Sequence, residues 1–599
     1  MKKRILGASL VMTGLLALSG CGSNKAADQN TNLTALMEKY PPLIQNEGTP
    51  IDGGVLKVGV VSDAQFKGIF QPFFFTDGTD MNFMSDTMCG AFPTEPDFKL
   101  KLDNNETPIN VHVDVDKKEV TYKINPKFKW NDGTTVSTDD IIRTYEICAN
   151  QEFINAYQSP RYGTDMQIIE GIVDYNQGKA DHISGLEKIS DSEMKIHLTE
   201  ITPGVYYGGP FCGEFVKASS LEGVPMDEIL ECDAVRVNPP SYGPYVITNI
   251  LPGEHVSFEA NPYYYKGEAK VKKVEMQTIT TAQQVSDIQS GGHDIYVDVS
   301  SDVWPQITEL NNVSIGVRPA LYMSFLGFNL GHWDAEQNVC VTDPDAKMSN
   351  VNLRKAMGYC IDNDTIGSKY YNGLRFTAIS PIAPVFTKFH DPSVKGYTLD
   401  LEKAKKLLDE AGYVDKDGDG FREDPQGNPL EIHLAMMSGG ETAEPLSQYY
   451  IQQWEKVGLK ASLTDGKLLE FNDFYKRVQA NDPTIDVFMA AFGLASDPNP
   501  TGLWGAHEQF NLGRYTSDKL EDSLQKIGSS EALDPDKQIE FYRNFERIFE
   551  DEAPAIPQQN KVEFQVVNKR VKEFNFDRES DSDFDMSKVE LTADKPMAS

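Results

Sequence analysis

Asp415, Asp417 and Asp419 fall on alternate residues and are followed by Gly420. In a calcium loop this spacing sets three carboxylates around one ion while glycine permits the sharp turn at the sixth position. The twelfth position of such a loop calls for a bidentate glutamate, and here it is Gln426, so affinity falls unless Glu423 or Asp424 supplies the missing oxygens. Bound calcium and a metal-free Asp/Gly-rich surface turn both remain open from the sequence. No other cofactor is expected. Nothing suited to hydrolysis accompanies the motif: HExxH, GxSxG and GxxxxGK[ST] are absent, and none of the nine histidines lies three or four residues from another. The chain is therefore expected not to be an enzyme. Its 56 Lys and Arg against 90 Asp and Glu give a net charge of −34, which argues against a nucleic-acid partner. Cys89, Cys148, Cys212, Cys232, Cys340 and Cys360 show no metal-ligand spacing, and disulfides and free thiols are both open.

The N-terminus carries a different chemistry. Lys2, Lys3 and Arg4 precede an apolar run from Ile5 to Ala17 that is short for a permanent membrane span. Leu18-Ser19-Gly20-Cys21 then reads as a lipobox, small residues before a cysteine. This predicts removal of residues 1–20 as a signal peptide and lipidation of Cys21, whose two or more acyl chains anchor the protein to the outer face of the cell membrane. Residues 21–51 are polar and Asn-rich and predict a flexible linker, apart from a short apolar stretch near Leu33 to Tyr40. The remainder, roughly 545 residues, is enough for two or three domains.

The elements that must position any site are both strands and helices. Val111, Val113 and Val115, then Val120, Tyr122 and Ile124, alternate with polar residues across a turn at Lys117-Lys118, which predicts a hairpin. Ser137 and Asp140 stand at capping-box spacing and open an amphipathic helix. Further strands are predicted at Gly53 to Val61, Met194 to Leu198, Tyr245 to Ile250, Val256 to Glu259 and Val274 to Thr278. Helices are predicted at Leu401 to Ala411, stopped by Gly412, and at Pro535 to Glu550. The fold class is α/β with a mixed sheet in each lobe.

From Tyr122 to Tyr145 (YKINPKFKWNDGTTVSTDDIIRTY) the sequence resembles the signature region of the oligopeptide and dipeptide solute-binding proteins of ABC importers. The resemblance continues in order through Gly171 to Thr199, Ser241 to Tyr265, Asp287 to Tyr296, Asn352 to Ile366, Leu401 to Gly412 and Asp486 to Pro500, and FKGIF at Phe66 looks nearest to the lactic-acid-bacterial branch. It implies a two-lobed periplasmic-binding-protein-like fold with a hinge and an extra inserted domain. Lobe I would comprise 52–95, 200–315 and 552–599, domain II 96–199, and lobe II 316–551. It further implies a monomer that captures extended oligopeptides between the lobes and hands them to a permease driven by two ATPase subunits. Relatives in the same family take nickel complexes, haem, sugars or peptide pheromones, and these are the rival ligands; a peptidase or peptide-folding factor is the rival from another class.

The resemblance also implies site residues. Relatives hold the peptide α-amino group with an Asp that follows an aromatic residue; here Phe492 matches the aromatic, and the Asp position falls on Ala495, Ser496 or Asp497, of which Asp497 is the expected anchor. Ala491, Gly493 and Ser496 would flank it, and Tyr157, Tyr206, Tyr207, Tyr322 and Trp504 would line the crevice, with core packing as the alternative for each aromatic. Phe70, Phe73, Phe74 and Phe75 are expected in the core, with cleft lining as the alternative, and Trp130 and Asp132 are expected to fix a turn.

Overall fold

The structure, a computed structural model, describes residues 30–599 except 76–77, 89, 158, 160, 441 and 578–584. The predicted signal peptide, Cys21 and Cys89 lie outside the described residues. Among the described residues no helix is long and apolar enough to cross a membrane.

One mixed sheet of 11 strands runs through the molecule. Its centre is a pair of long antiparallel strands, Val313–Phe328 and Ala555–Asn568, in register from Val313↔Asn568 to Gly327↔Ala555. At one end of this pair, Ala555–Asn568 meets Ile295–Val297, which continues through Val55–Val61, Lys273–Ile279, His255–Ala260 and Tyr245–Leu251. At the other end Val313–Phe328 meets Val487–Gly493, followed by Glu431–Ala435 and Lys460–Leu463. Each group of outer strands carries its own buried cluster, one around Leu56, Val58, Phe70 and Phe83, the other around Leu326, Leu353, Leu434 and Trp454. Two lobes thus share two strands. The register of that pair slips between Pro319 and Met323 and again between Ser324 and Phe325, where extra residues bend it; Pro319, having no N–H, cannot hold a regular ladder there.

The inserted domain has a separate four-stranded sheet, ordered Ile109–Asp114, Glu119–Ile124, Glu193–His197, Leu186–Ser190. The predicted hairpin is present, with Val113 opposite Val120, but Val115 falls in the turn and is 43% exposed. The helix Thr138–Ala149 starts as its capping box requires: Ser137 and Asp140 exchange hydrogen bonds between side chain and backbone. The Trp130 indole donates to Asp140 at 3.1 Å, and Asp132 accepts from Thr134 and pairs with Lys217, so both residues do fix the turn ahead of that helix. Leu401–Glu410 and Pro535–Glu552 are helices; Gly412 stops the first with φ +84°, and the second buries Tyr542, Phe545 and Phe549.

One expectation is overturned. The linker does not extend to residue 51, because Asn30–Lys39 is a helix and Leu43–Gln45 pairs with Glu573–Asn575. Leu33, Leu36, Met37 and Tyr40 recur at helical spacing, and their apolar face packs with Trp304 and Phe564; the Tyr40 and Trp304 ring centroids are 5.1 Å apart. A short amphipathic run inside an Asn-rich segment discloses no partner, so only the tertiary contact reveals that it folds. Cys148, Cys212, Cys232, Cys340 and Cys360 are all free thiols, and none of the five forms a disulfide.

Candidate ligand-binding site

The strand Val487–Gly493 brings its C-terminal end to the bend in the long pair, with Gly493 opposite Tyr322. Leu494 still donates to the Leu321 carbonyl at 3.0 Å, after which Pro498 and Pro500 prevent the chain from continuing as a strand. The Asp497 side chain folds back so that Oδ1 accepts the Asn499 N–H at 2.9 Å, and Asn499 in turn accepts from Thr501 at the start of the helix Thr501–Trp504. This leaves Asp497 Oδ2 facing the other side of the cleft. There Gly204 comes so close that a Cβ on it would sit 3.2 Å from Oδ2, a contact a larger residue would tighten or block.

Asp497 borders a cavity of ≈ 320 Å³ whose wall includes Pro381, Phe386, Gly493 and Glu508 of lobe II and Thr164 and Asp165 of the inserted domain. The two sides also touch beside it, through Phe98 against Phe386, centroids 5.5 Å apart, and Asp97 with Lys388 at 3.3 Å. Among the described residues no Lys, Arg or His forms an ion pair with Asp497, Asp165 or Glu508. Burial pushes the Asp497 carboxyl up to about 6, with the Asn499 N–H opposing the rise and the charge of Asp165 adding to it. Burial likewise raises Asp165 and Glu508, and Asp165 contributes to the rise at Glu508. Tyr207 is 8% exposed, its hydroxyl has no hydrogen-bond partner among the described residues, and its pKa is raised by burial and then by the charges of Asp97 and Asp497. A cavity with three carboxylates in its wall and no described counter-charge is suited to a cation that also donates hydrogen bonds, such as an ammonium group.

The cavity gathers Asp497 and Gly493 but not all the residues expected with them, and Tyr207 is not in its lining. Phe492 and Trp504 are buried in the lobe II core around Phe325, Trp504 against Phe549 at 4.8 Å. Ala491 sits within the strand opposite Ser324, and Ser496 is exposed outside the cavity lining. Tyr322 lies under the Arg375 guanidinium, 5.3 Å from its ring. Tyr206 packs on the inserted domain's core, and the Tyr157 hydroxyl donates to the Asp227 carbonyl at 2.5 Å. Sequence reasoning missed Asp165, Phe386 and Glu508, which lie in segments without periodicity or motif. Phe70, Phe73 and Phe74 are core as expected, whereas Phe75 is only half-buried; Phe73 and Phe75 also wall a second cavity.

Outside the lining of either cleft cavity, ligand oxygens of Asp415, Asp417, Asp419 and Glu423 all lie within 4.8 Å of one another. Glu423 is the ninth residue of the loop and is buried, its Oε2 accepting the Lys416 N–H at 2.7 Å. The donor set is hard oxygen throughout, and calcium–oxygen distances of about 2.4 Å fit a cluster of that span.

Two lobes joined by a bent pair of strands, with the Asp497 carboxylate in the cavity between them and no described cation paired with it, define a two-lobed α/β fold with an inter-lobe cavity. Residues 110–511 match the model of the bacterial extracellular solute-binding proteins, family 5 (middle region), and the chain belongs to that family. Among curated relatives it is similar to the oligopeptide-binding protein OppA of Lactococcus lactis subsp. lactis, 31% identical over 586 residues, 95% of each chain. The structure resembles lactococcal OppA complexed with an endogenous peptide in the closed conformation, with TM-score 0.77 and 30% identity over 90% of this chain and 100% of that one. It also resembles the Bacillus subtilis oligopeptide-binding protein AppA in complex with a nonapeptide, with TM-score 0.65 and 18% identity over 91% of this chain and all of that one.

Proposed function

We propose that this protein captures extended oligopeptides between its lobes and delivers them to an ABC permease, held at the cell membrane by lipid on Cys21. One observation carries the reading: the Asp497 carboxylate, without a cationic partner among the described residues, faces a cavity closed by the opposite side of the cleft. A peptide α-ammonium supplies the missing charge and three N–H donors. The backbone groups behind it are the same in every peptide, so pairing them with main-chain groups gives affinity without reading sequence. The likeness to lactococcal OppA over almost the whole chain supports this choice of solute. Haem or a nickel complex fits less well, since no histidine lines either cleft cavity among the described residues.

Native mass spectrometry of the protein purified from cells tests the reading. The expected spectrum shows a distribution of adducts that fragment into intact peptides. A single non-peptide adduct, whether haem, metal chelate or sugar, would sink it.

We further propose that the loop at Asp415 binds calcium as a structural ion. The observation behind it is the convergence of four carboxylates, Glu423 among them, without an ion pair to any described cation. At ten times Kd, calcium would add about 1.4 kcal/mol to the stability of lobe II. The expected outcome is a melting temperature about 1–3 °C higher in calcium than in chelator, a shift that Asp417→Asn abolishes. Identical melting curves in both conditions would leave the loop as a surface turn.

A further inference from the structure

The second cavity, ≈ 330 Å³, opens in the wall formed by the inserted domain and lobe I. Asp165 borders both cavities, so the two adjoin. The second is walled by Phe73, Phe75, Met166 and Phe211, shares Asp165 with the first and holds Glu214, and among the described residues it differs from the first in having one cationic side chain, Arg161.

Arg161 is held but not neutralised. Nη2 donates to the Phe75 carbonyl at 2.9 Å, and the guanidinium carbon lies 4.3 Å from the Phe75 ring centroid, so the plane is fixed by a hydrogen bond and a cation–π contact. Among the described residues that carbonyl is the acceptor for its side chain, and no carboxylate lies within ion-pair distance, which leaves Nε and Nη1 undirected. Glu214 shares the cavity wall but is engaged elsewhere: it accepts from the Tyr242 hydroxyl and from the Gly90 N–H at 3.2 Å. Burial pushes that carboxyl up to about 7, so near neutral pH it is only about half ionised, and its oxygens are already taken by Tyr242 and Gly90. Burial also lowers the pKa of Arg161, the sign of a cation partly stripped of water. A half-buried guanidinium costs desolvation energy unless an anion meets it, and its forked donors match a carboxylate.

We propose that Arg161 receives a carboxylate of the bound ligand, so that the cleft is polarised and reads a second charge in addition to the one at Asp497. The proposal rests on the peptide reading above and narrows it. The carboxylate is supplied either by the C-terminus of a peptide short enough to end in the second cavity or by an acidic side chain of a longer one. In the first case the cleft favours one peptide length; in the second it favours Asp or Glu at one distance from the amino end.

Calorimetry with the full-length protein distinguishes these. A series of alanine-based peptides of three to nine residues is compared as free acids and as C-terminal amides, and the amides are then repeated with one Glu moved along the chain. The expected result is about a tenfold advantage of the free acid at one length, or of the Glu-bearing amide at one position, and its loss in Arg161→Gln with the plain amide unaffected. Arg161→Lys, which keeps charge but not the fork, should retain part of the advantage. Plain amides that bind with the same affinity as every free acid and every Glu-bearing amide in the wild type would overturn the proposal while leaving the peptide reading intact. Failure of all peptides to bind would remove the peptide reading first. An advantage that persists undiminished in a folded Arg161→Gln, judged by an unchanged melting curve, would assign the carboxylate to another residue and would also overturn it.

Discussion

Asp497→Asn should weaken binding of peptides with a free α-amino group by about 2–5 kcal/mol, some thirtyfold or more in Kd. The substitution keeps the shape and the Oδ1 hydrogen bond from Asn499 but removes the charge that faces the cavity. N-acetylated peptides should bind the wild type and the variant with the same low affinity, because acetylation removes the other member of the pair. Equal affinity for free and acetylated peptides in the wild type would mean that Asp497 holds no ammonium. The same residue sets a pH dependence. In the unliganded protein its carboxyl titrates at about 6, and an ammonium beside it favours the ionised form, so the bound state has the lower pKa. Affinity is therefore complete above pH 6 and falls as pH drops through about 6, and in the Asp497→Asn variant this fall should disappear. The sign for folding is the reverse: a carboxyl whose pKa is raised by burial favours the fold fully at low pH, a contribution lost as pH rises through about 6. Ligand then offsets that loss.

Breaking the Arg570–Asp294 pair should cost the largest amount of stability of any single substitution considered. Both side chains are fully buried, and the guanidinium meets the carboxylate twice, Nε to Oδ1 at 2.5 Å and Nη2 to Oδ2 at 2.6 Å. The remaining capacity is spent on backbone: Arg570 donates to the carbonyls of Val55 and Ala593 at 2.8 and 3.0 Å, and Asp294 Oδ2 accepts the Lys57 N–H at 2.9 Å. The pair thus fastens the first strand of lobe I to the returning C-terminal segment. Arg570→Met leaves a buried carboxylate without its cation, and a loss of about 3–5 kcal/mol is expected in the unfolding transition of lobe I, measured by urea denaturation. Asp294→Leu should cost a similar amount. The double substitution should cost clearly less than the two singles added, because no unpaired buried charge remains. Additive losses would show that the charges do not act on each other.

Neither residue of that pair stands out in the sequence. Asp294 follows His293 in an ordinary polar turn, Arg570 follows Lys569, and 276 residues separate them. What was legible is local. The Ser137–Asp140 box, the Val113–Val120 hairpin, the Gly412 stop and the aromatic face of Pro535–Glu552 are written in spacings of two to seven residues, and the structure forms each of them. The DxDxDG loop belongs to the same class, although its fourth carboxylate comes from Glu423 rather than from the expected twelfth position. The candidate site was legible only in part. By resemblance Phe492 pointed to the strand end that borders the cavity, yet its own ring points into the core with Phe325 and Trp504, because alternate residues of Val487–Gly493 face opposite sides. Asp165, Phe386 and Glu508 come from separate elements and could not be found by any local pattern.

The elements, their caps and stops, the acidic surface and the family all follow from the order of residues alone. Each of these depends on the side chain and a few neighbours, or on many collinear motifs taken together. Folding was needed to establish that Asn30–Lys39 packs onto the body, that Asp497 faces a cavity without a counter-charge among the described residues, and that Asp294 meets Arg570. These are matters of burial and pairing between distant segments, and the energy of a charge depends on what surrounds it after folding, which no spacing along the chain records.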